Sequence, residues 1–385
     1  MDTHPGLRGG PVYLDYNATT PVDPRVVEAI RPFLLTHFGN PSSAHRYAQA
    51  PRQALSDART RVAELLDCSP GEIVFTGGGS ESDGLAIRGA ALAHRDRGDH
   101  VVTQRTEHPA VLEACHDLAR LHGFRVTCLP VEADGRVDPA ALEAAITPGT
   151  VLVSIQHANG ETGTLQPIRE LAAVAHRHGV LFHTDAAQSV GKIPVRVRDL
   201  GVDLLTIAGH KLYAPKGVGA LYVRAGVGLE PTIRGGGQER GLRAGTENVS
   251  LIVGLGVAAA LAREALPDRD AVCRLRDRLH ERLEAALPGA VHLNGHPFER
   301  LPNTLNVSID GVTSRQLLAA TPEIAASTGS ACHEGRDEPS EILLAMGLPA
   351  ERALAAVRLT LGRWTTAEDV DRATGMLVRS SRSLQ

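Results

Sequence analysis

The chain has 385 residues, 43% of them apolar and 22% charged, enough for two or three domains with buried cores and too apolar for a disordered chain. Its formal net charge is -4 with no block of like charge, so the footprint of a nucleic-acid or anionic-membrane binder is missing and small neutral or zwitterionic ligands fit better. No run of about 18 apolar residues occurs, and residues 1–13 lack a signal-peptide core, so a soluble, cytoplasmic protein is expected.

Two helices are expected first, over 24–38 and about 49–66. From 72 to 223, short β-branched runs at 73–75, 100–103, 126–129, 151–155, 180–183, 204–207 and 220–223 alternate with helical stretches. That is the pattern of an α/β domain around a mostly parallel sheet. Gly235, Gly236 and Gly237 open a loop, rich in Gly, Arg and Glu, that reaches Gly245 near the expected domain boundary. Beyond about 250 the pattern changes to helices at 251–265 and 269–287, strands at 291–293 and 304–309, more helix, and a strand at 357–361. This reads as a second, smaller α+β domain.

In open sheets of this kind ligands collect at the carboxyl ends of the strands. Gly77, Gly78, Gly79 and Ser80 follow the first run and lead into a helix, which would present backbone N–H groups to a phosphate; the segment also suits a plain tight turn with an N-cap serine. Only three of the 40 basic residues are lysines: Lys192, Lys211 and Lys216. Lys211 sits just after the run at 204–207, where partial desolvation would suit it to Schiff-base formation. Lys216, beside Pro215 and Gly217, and Lys192, in a Gly-Lys-Ile-Pro turn, read as exposed. Asp185 ends a strand and can keep a pyridinium nitrogen protonated, Gln188 follows it, and His108 could stack on the ring. For each the alternative is a strand-end cap or a solvated turn residue. Arg358 alternates with apolar neighbours in a strand-like run, facing either a carboxylate or solvent.

The five cysteines are odd in number, far apart and without a CxxC pair, so thiols are expected rather than a disulfide framework or a metal cage. Cys115 and Cys273 fall in helices, Cys128 in a strand and Cys68 at a helix end, where buried structural thiols are expected. Cys332, between Gly329 and Arg336, has the polar surroundings a reactive thiol needs.

The stretches at 13–21 and 39–43, Ser80 to Asp83, Thr106-Glu107-His108, the segment at 183–188, Gly209-His210-Lys211, the segment at 235–240, Gly245-Thr246 and Gly329 to Cys332 resemble the NifS-like cysteine desulfurases, class V members of the fold-type I pyridoxal-phosphate enzymes. The similarity covers nearly the whole chain. It implies a large cofactor domain over 16–250 and a small domain from 1–15 and 251–385, with a catalytic cysteine loop at about 327–338. It implies Lys211 as the Schiff-base lysine and proton shuttle, Asp185 on the pyridine nitrogen, Gln188 near the phenolic oxygen and His108 over the ring. Gly79, Ser80 and His210 would hold the phosphate of pyridoxal 5'-phosphate, with Thr246 arriving from the other subunit of a homodimer. Asn159 would be a further cofactor contact, Asn40 and Arg358 would take the substrate carboxylate, and Cys332 would collect sulfur from L-cysteine as a persulfide. Sulfur would pass to an acceptor such as an iron-sulfur scaffold or a tRNA-thiolation protein. Two positions depart from the family pattern: Ala208 replaces a serine that donates to the phosphate, and Gly160 replaces an asparagine. Selenocysteine lyase shares several of these motifs, and a non-catalytic sulfur-relay protein on the same fold is the rival of another class.

Overall fold

The computed structural model describes residues 3–328 and 338–385. In chain order its strands are β1 Val12–Tyr13, β2 Ile73–Thr76, β3 His100–Gln104, β4 Arg125–Leu129, β5 Thr150–Ser154, β6 Leu181–Asp185, β7 Leu204–Ala208, β8 Gly219–Val223, β9 Val291–Leu293, β10 Thr304–Ile309, β11 Ile324–Ala325 and β12 Ala356–Thr360.

The seven strands β2 to β8 form one sheet in the order β2-β8-β7-β6-β5-β3-β4. β8 runs antiparallel to both β2 and β7, and every other pairing is parallel. Parallel strands must be covered by helices on both faces, which is why the central runs are apolar throughout rather than alternating. Neighbouring residues point to opposite sides: Val102, Val153, Leu205 and Ile207 enter one core, while Val101, Leu152 and Leu204 enter the other, beneath the helices Gly79–Ala93 and Pro109–His122. The edge strand β4 is less completely buried, and Cys128 on it is exposed, contrary to the buried thiol expected there. Cys68 and Cys273 are half-buried, and Cys115 alone of the described thiols is fully buried.

A second sheet, β12-β10-β9, is antiparallel, and β1 pairs in parallel with β11 beside it. Its core joins Leu14, Leu305, Val307 and Leu359 to Leu279 and Leu283 of the helix Arg269–Ala286 and to Val370 and Leu377 of Ala367–Leu384. The amino-terminal segment thus belongs to the small core as far as Leu14, then crosses to the large sheet at Asn17.

The helix Val249–Ala265 differs from the sequence expectation of a boundary at about 250. Ile252, Leu255, Ala258, Ala259 and Ala262 pack into the large-sheet core with Val26, Leu55 and Ala58 of the helices Pro24–Leu35 and Gln49–Leu66. Each fully buried Ile or Leu contributes about 1.5–3 kcal/mol. Within the stretch Val249–Ala286 one 18-residue window is apolar enough by composition to cross a membrane, against the expectation that no such run occurs. The apolar face of the stretch's first half is used in this packing.

Candidate active site

The carboxyl ends of β2, β3, β5, β6 and β7 share one edge of the large sheet, and the segment 15–20 and Arg358 of β12 approach them from the small core. After β7 the chain enters a tight turn, Gly209–Lys211. A Cβ on Gly209 would stand 2.7 Å from the Val218 carbonyl oxygen, so the turn needs glycine. That turn sends the Lys211 amine to the main-chain carbonyls of Asn17 and Ala18, the latter at 2.8 Å. Burial, together with the Arg358 guanidinium, pulls the amine down to about 8, with Asp185 and Asp15 opposing.

Asp185 is the last residue of β6 and is buried. Burial pushes its carboxyl up, against the Ala187 N–H, which donates to its Oδ1 at 2.8 Å, and against His108 and Lys211. A carboxyl whose ionisation is opposed mainly by burial becomes an anion once a cation is set against it. His108 caps the helix Pro109–His122, its Nδ1 accepting from Ala110 N at 3.1 Å, so the neutral ring carries its proton on Nε2. It is exposed at the mouth of the site, yet desolvation lowers its pKa, with Asp185 opposing and Lys211 adding.

Beyond β2, Gly78 occupies the N-cap of the helix Gly79–Ala93 and supplies no side-chain acceptor. The first N–H groups of a 15-residue helix are therefore open to an anion beside the exposed Ser80. A Cβ on Gly79 would lie 3.2 Å from Ala208 Cβ, so the residue that departs from the family pattern is beside this helix start. His210 turns its Nδ1 to Thr19 Oγ1 at 3.1 Å, and burial, then Lys211, bring its pKa down to about 4. Arg243 pairs with Glu81 at 2.9 Å and ties the glycine-rich loop to the same helix, with Thr246 exposed three residues on.

Arg358 donates to Asp15 Oδ1 at 2.9 Å and to the Gly160 carbonyl at 3.2 Å, and its buried Nε has no partner among the described residues. Asn159 is buried; its Oδ1 accepts from the main-chain N–H groups of Glu161 and Thr162, both at 2.9 Å, while its Nδ2 donates to the Thr106 carbonyl at 3.1 Å. It organises its own loop and has one amide hydrogen to offer. Asn40 is exposed, with its Oδ1 accepting from Ser42 N at 2.9 Å, and takes no part in the hydrogen bonds around Lys211. Cys332 lies outside the described residues.

Three residues at the centre were not assigned roles from sequence. Asn17 accepts from Lys211 and from Gln188 Nε2 (3.0 Å) on its main-chain carbonyl, and its Nδ2 donates to Thr304 Oγ1 at 2.9 Å. Lys192, expected in an exposed turn, instead sends its amine to Asn17 Oδ1 at 2.7 Å and Gln188 Oε1 at 2.8 Å. Gly191 at φ +78° turns the chain so that the side chain enters the site. Glu107, beside His108, is a third. It is buried, accepts from Gln104 Nε2 and Gln156 N at 2.7 Å, and burial pushes it up to about 8 against those hydrogen bonds.

A parallel sheet with a desolvated lysine, a buried aspartate and an open helix N-terminus at one edge is the framework of a fold-type I enzyme. The family model for aminotransferase class V matches residues 12–373, and the chain belongs to that family. Within it, the chain is 46% identical over 377 residues to the cysteine desulfurase IscS of Dictyoglomus turgidum, covering 97% of this chain and 95% of that one. It is 46% identical to the mouse cysteine desulfurase over 365 residues, 94% of this chain and 79% of the relative. Among solved structures, a NifS-like protein superposes with a TM-score of 0.88 at 36% identity, covering 97% and 99% of the two chains. A structure described as SspA in complex with cysteine gives 0.79 at 38% identity, covering 92% and 99%.

Proposed function

We propose that this chain is a pyridoxal-phosphate cysteine desulfurase, in which L-cysteine and the Cys332 thiol give L-alanine and a Cys332 persulfide. The substrate C–S bond breaks as the S–S bond forms, and the former Cβ becomes the alanine methyl. The observation that supports this best is the convergence of the Lys211 amine with the Asp185 carboxyl and the Arg358 guanidinium.

When bound, the cofactor supplies a sink for the electron pair left as the substrate Cα loses its proton. The residues fit it. The helix start at Gly79 and Ser80, with His210, would hold the phosphate, completed by the partner subunit's Thr246 in a homodimer. Asp185 would keep the ring nitrogen protonated, Gln188 would face the ring oxygen, His108 would cover the ring, and Asn159 has one amide hydrogen to add. Lys211, with its basicity brought toward neutral pH, moves the proton at Cα. Arg358, through its unpartnered Nε, takes the substrate carboxylate, and Asn40 would join it from its exposed loop. Cys332 then hands its sulfur to an acceptor protein, such as an iron-sulfur scaffold or a tRNA-thiolation protein.

The test is the visible absorbance of the purified protein followed by alanine release from L-cysteine. A yellow band and alanine are expected. A colourless protein, or alanine from selenocysteine alone, contradicts the reading.

A further inference from the structure

Lys192 is a buried amine without a carboxylate partner: no ion pair among the described residues includes it, and its named acceptors are two amide oxygens, Asn17 Oδ1 at 2.7 Å and Gln188 Oε1 at 2.8 Å. A lysine amine bound this way donates, and it fixes which end of each amide is which. With Gln188 Oε1 held by Lys192, Gln188 Nε2 faces the Asn17 main-chain carbonyl at 3.0 Å. Flipping the Gln188 amide would set its oxygen against the Asn17 carbonyl, a repulsive contact, and would take an acceptor away from the Lys192 N–H. Asn17 is fixed in the same way: its Oδ1 takes Lys192 and Asn303 Nδ2 (3.0 Å), which leaves Nδ2 for the Gly160 carbonyl (3.1 Å) and Thr304 (2.9 Å). The carbonyl of this pinned residue is where Lys211 rests.

The geometry points to Lys192 as a positioning residue that orients the Gln188 amide as a donor toward the reacting face and anchors Asn17, the rest for the Lys211 amine. It acts through those two residues and does not touch the reacting atoms. Burial, then Lys211 and Arg358, depress the Lys192 amine well below its ordinary range, and even uncharged it keeps two N–H bonds for its two amide-oxygen acceptors. The inference rests on the proposed pyridoxal-phosphate chemistry, in which Gln188 faces the ring oxygen.

The test is a double-mutant cycle on the loaded enzyme, read as the pH midpoint of the cofactor's absorbance change. Losing an oriented donor beside the ring oxygen makes the nitrogen shared by Lys211 and the cofactor more basic. Lys192→Met and Gln188→Ala should therefore each raise the midpoint, by about one pH unit, and the double variant should shift no further than the larger single one. Lys192→Arg, which keeps N–H donors for both oxygens, should restore the wild-type midpoint. If Lys192→Met does not fold, the Arg variant and Gln188→Ala still decide: an Arg midpoint displaced as far as that of Gln188→Ala overturns the inference. An unmoved midpoint in Lys192→Met, or additive shifts in the double variant, also overturns it. Absence of the band in the wild type instead overturns the functional reading beneath it.

Discussion

The Lys211 amine donates to the main-chain carbonyl of Asn17, a residue 194 positions earlier in the chain. Asn17 is also bonded to Thr304 and Asn303, and its N–H donates to Thr360 Oγ1 at 3.0 Å. Lys211 is thereby tied to β10 and β12, so movement of the small sheet reaches its amine through one residue.

The lowered basicity of Lys211 gives a pH dependence with a definite sign. An amine brought from 10.5 to about 8 is free to react over a range where an ordinary lysine is protonated. In the cofactor-free protein, the rate of combination with pyridoxal phosphate should rise with pH and level off above about 8. A rise that continues to the ordinary lysine range would contradict the desolvated amine. Lys211→Ala should abolish turnover without unfolding the protein, and borohydride reduction should label Lys211 rather than Lys192 or Lys216.

Glu107 has the opposite linkage. Its folded pKa, about 8, lies above the ordinary 4.5, so between those values the folded state keeps a proton that the unfolded chain has lost. Stability from this group is full below the unfolded value and falls as pH rises toward 8. Glu107→Gln mimics the protonated acid and should flatten the stability loss between pH 5 and 8 in urea titrations. The effect should be on the order of a few kcal/mol. An unchanged slope would show that Glu107 is ionised in the folded protein.

The two departures from the family pattern should act in opposite ways. Ala208 lies against Gly79 at the helix start, so Ala208→Ser adds a donor there and should slow cofactor loss in dialysis. Gly160 does not offer the same room: a Cβ would stand 3.0 Å from Gln188 Nε2. Gly160→Asn should therefore displace Gln188 and shift the cofactor's absorption rather than simply tighten binding. Unchanged retention in Ala208→Ser would mean that the phosphate is already satisfied.

If Thr246 completes the partner's site, mixing Lys211→Ala and Thr246→Ala subunits should produce hybrids with one doubly damaged and one intact site. Activity should return on mixing. A monomer in sedimentation, or no recovery, would count against a composite site.

The strand positions of the large sheet were legible because double burial imposes apolar runs, and β2 to β8 fall within a residue or two of their expected bounds; in the small sheet β9 and β10 coincide with theirs. Lys211, Asp185 and His108 were legible as polar residues placed at strand ends. Lys192 was not, because a Gly-Lys-Ile-Pro turn reads as surface until the positive φ of Gly191 and the distant Asn17 are seen together. Val249–Ala265 was assigned to the wrong core for a related reason. An apolar helix carries no sign of which sheet it covers, and its packing against Pro24–Leu35 and Gln49–Leu66 is set by tertiary contact.

In the proposed reaction sulfur leaves L-cysteine for the Cys332 thiol. Burial raises the pKa of each described cysteine, pushing Cys68 up to about 12, and no described thiol is activated as a thiolate. The most direct measurement is mass spectrometry of the wild type after reaction with sulfur-labelled L-cysteine, alongside alanine assays of Cys332→Ala. One labelled sulfur is expected on Cys332, and the variant should keep the cofactor band but lose nearly all alanine formation. Label on Cys68, Cys115, Cys128 or Cys273 instead, or full turnover by the variant, would contradict it.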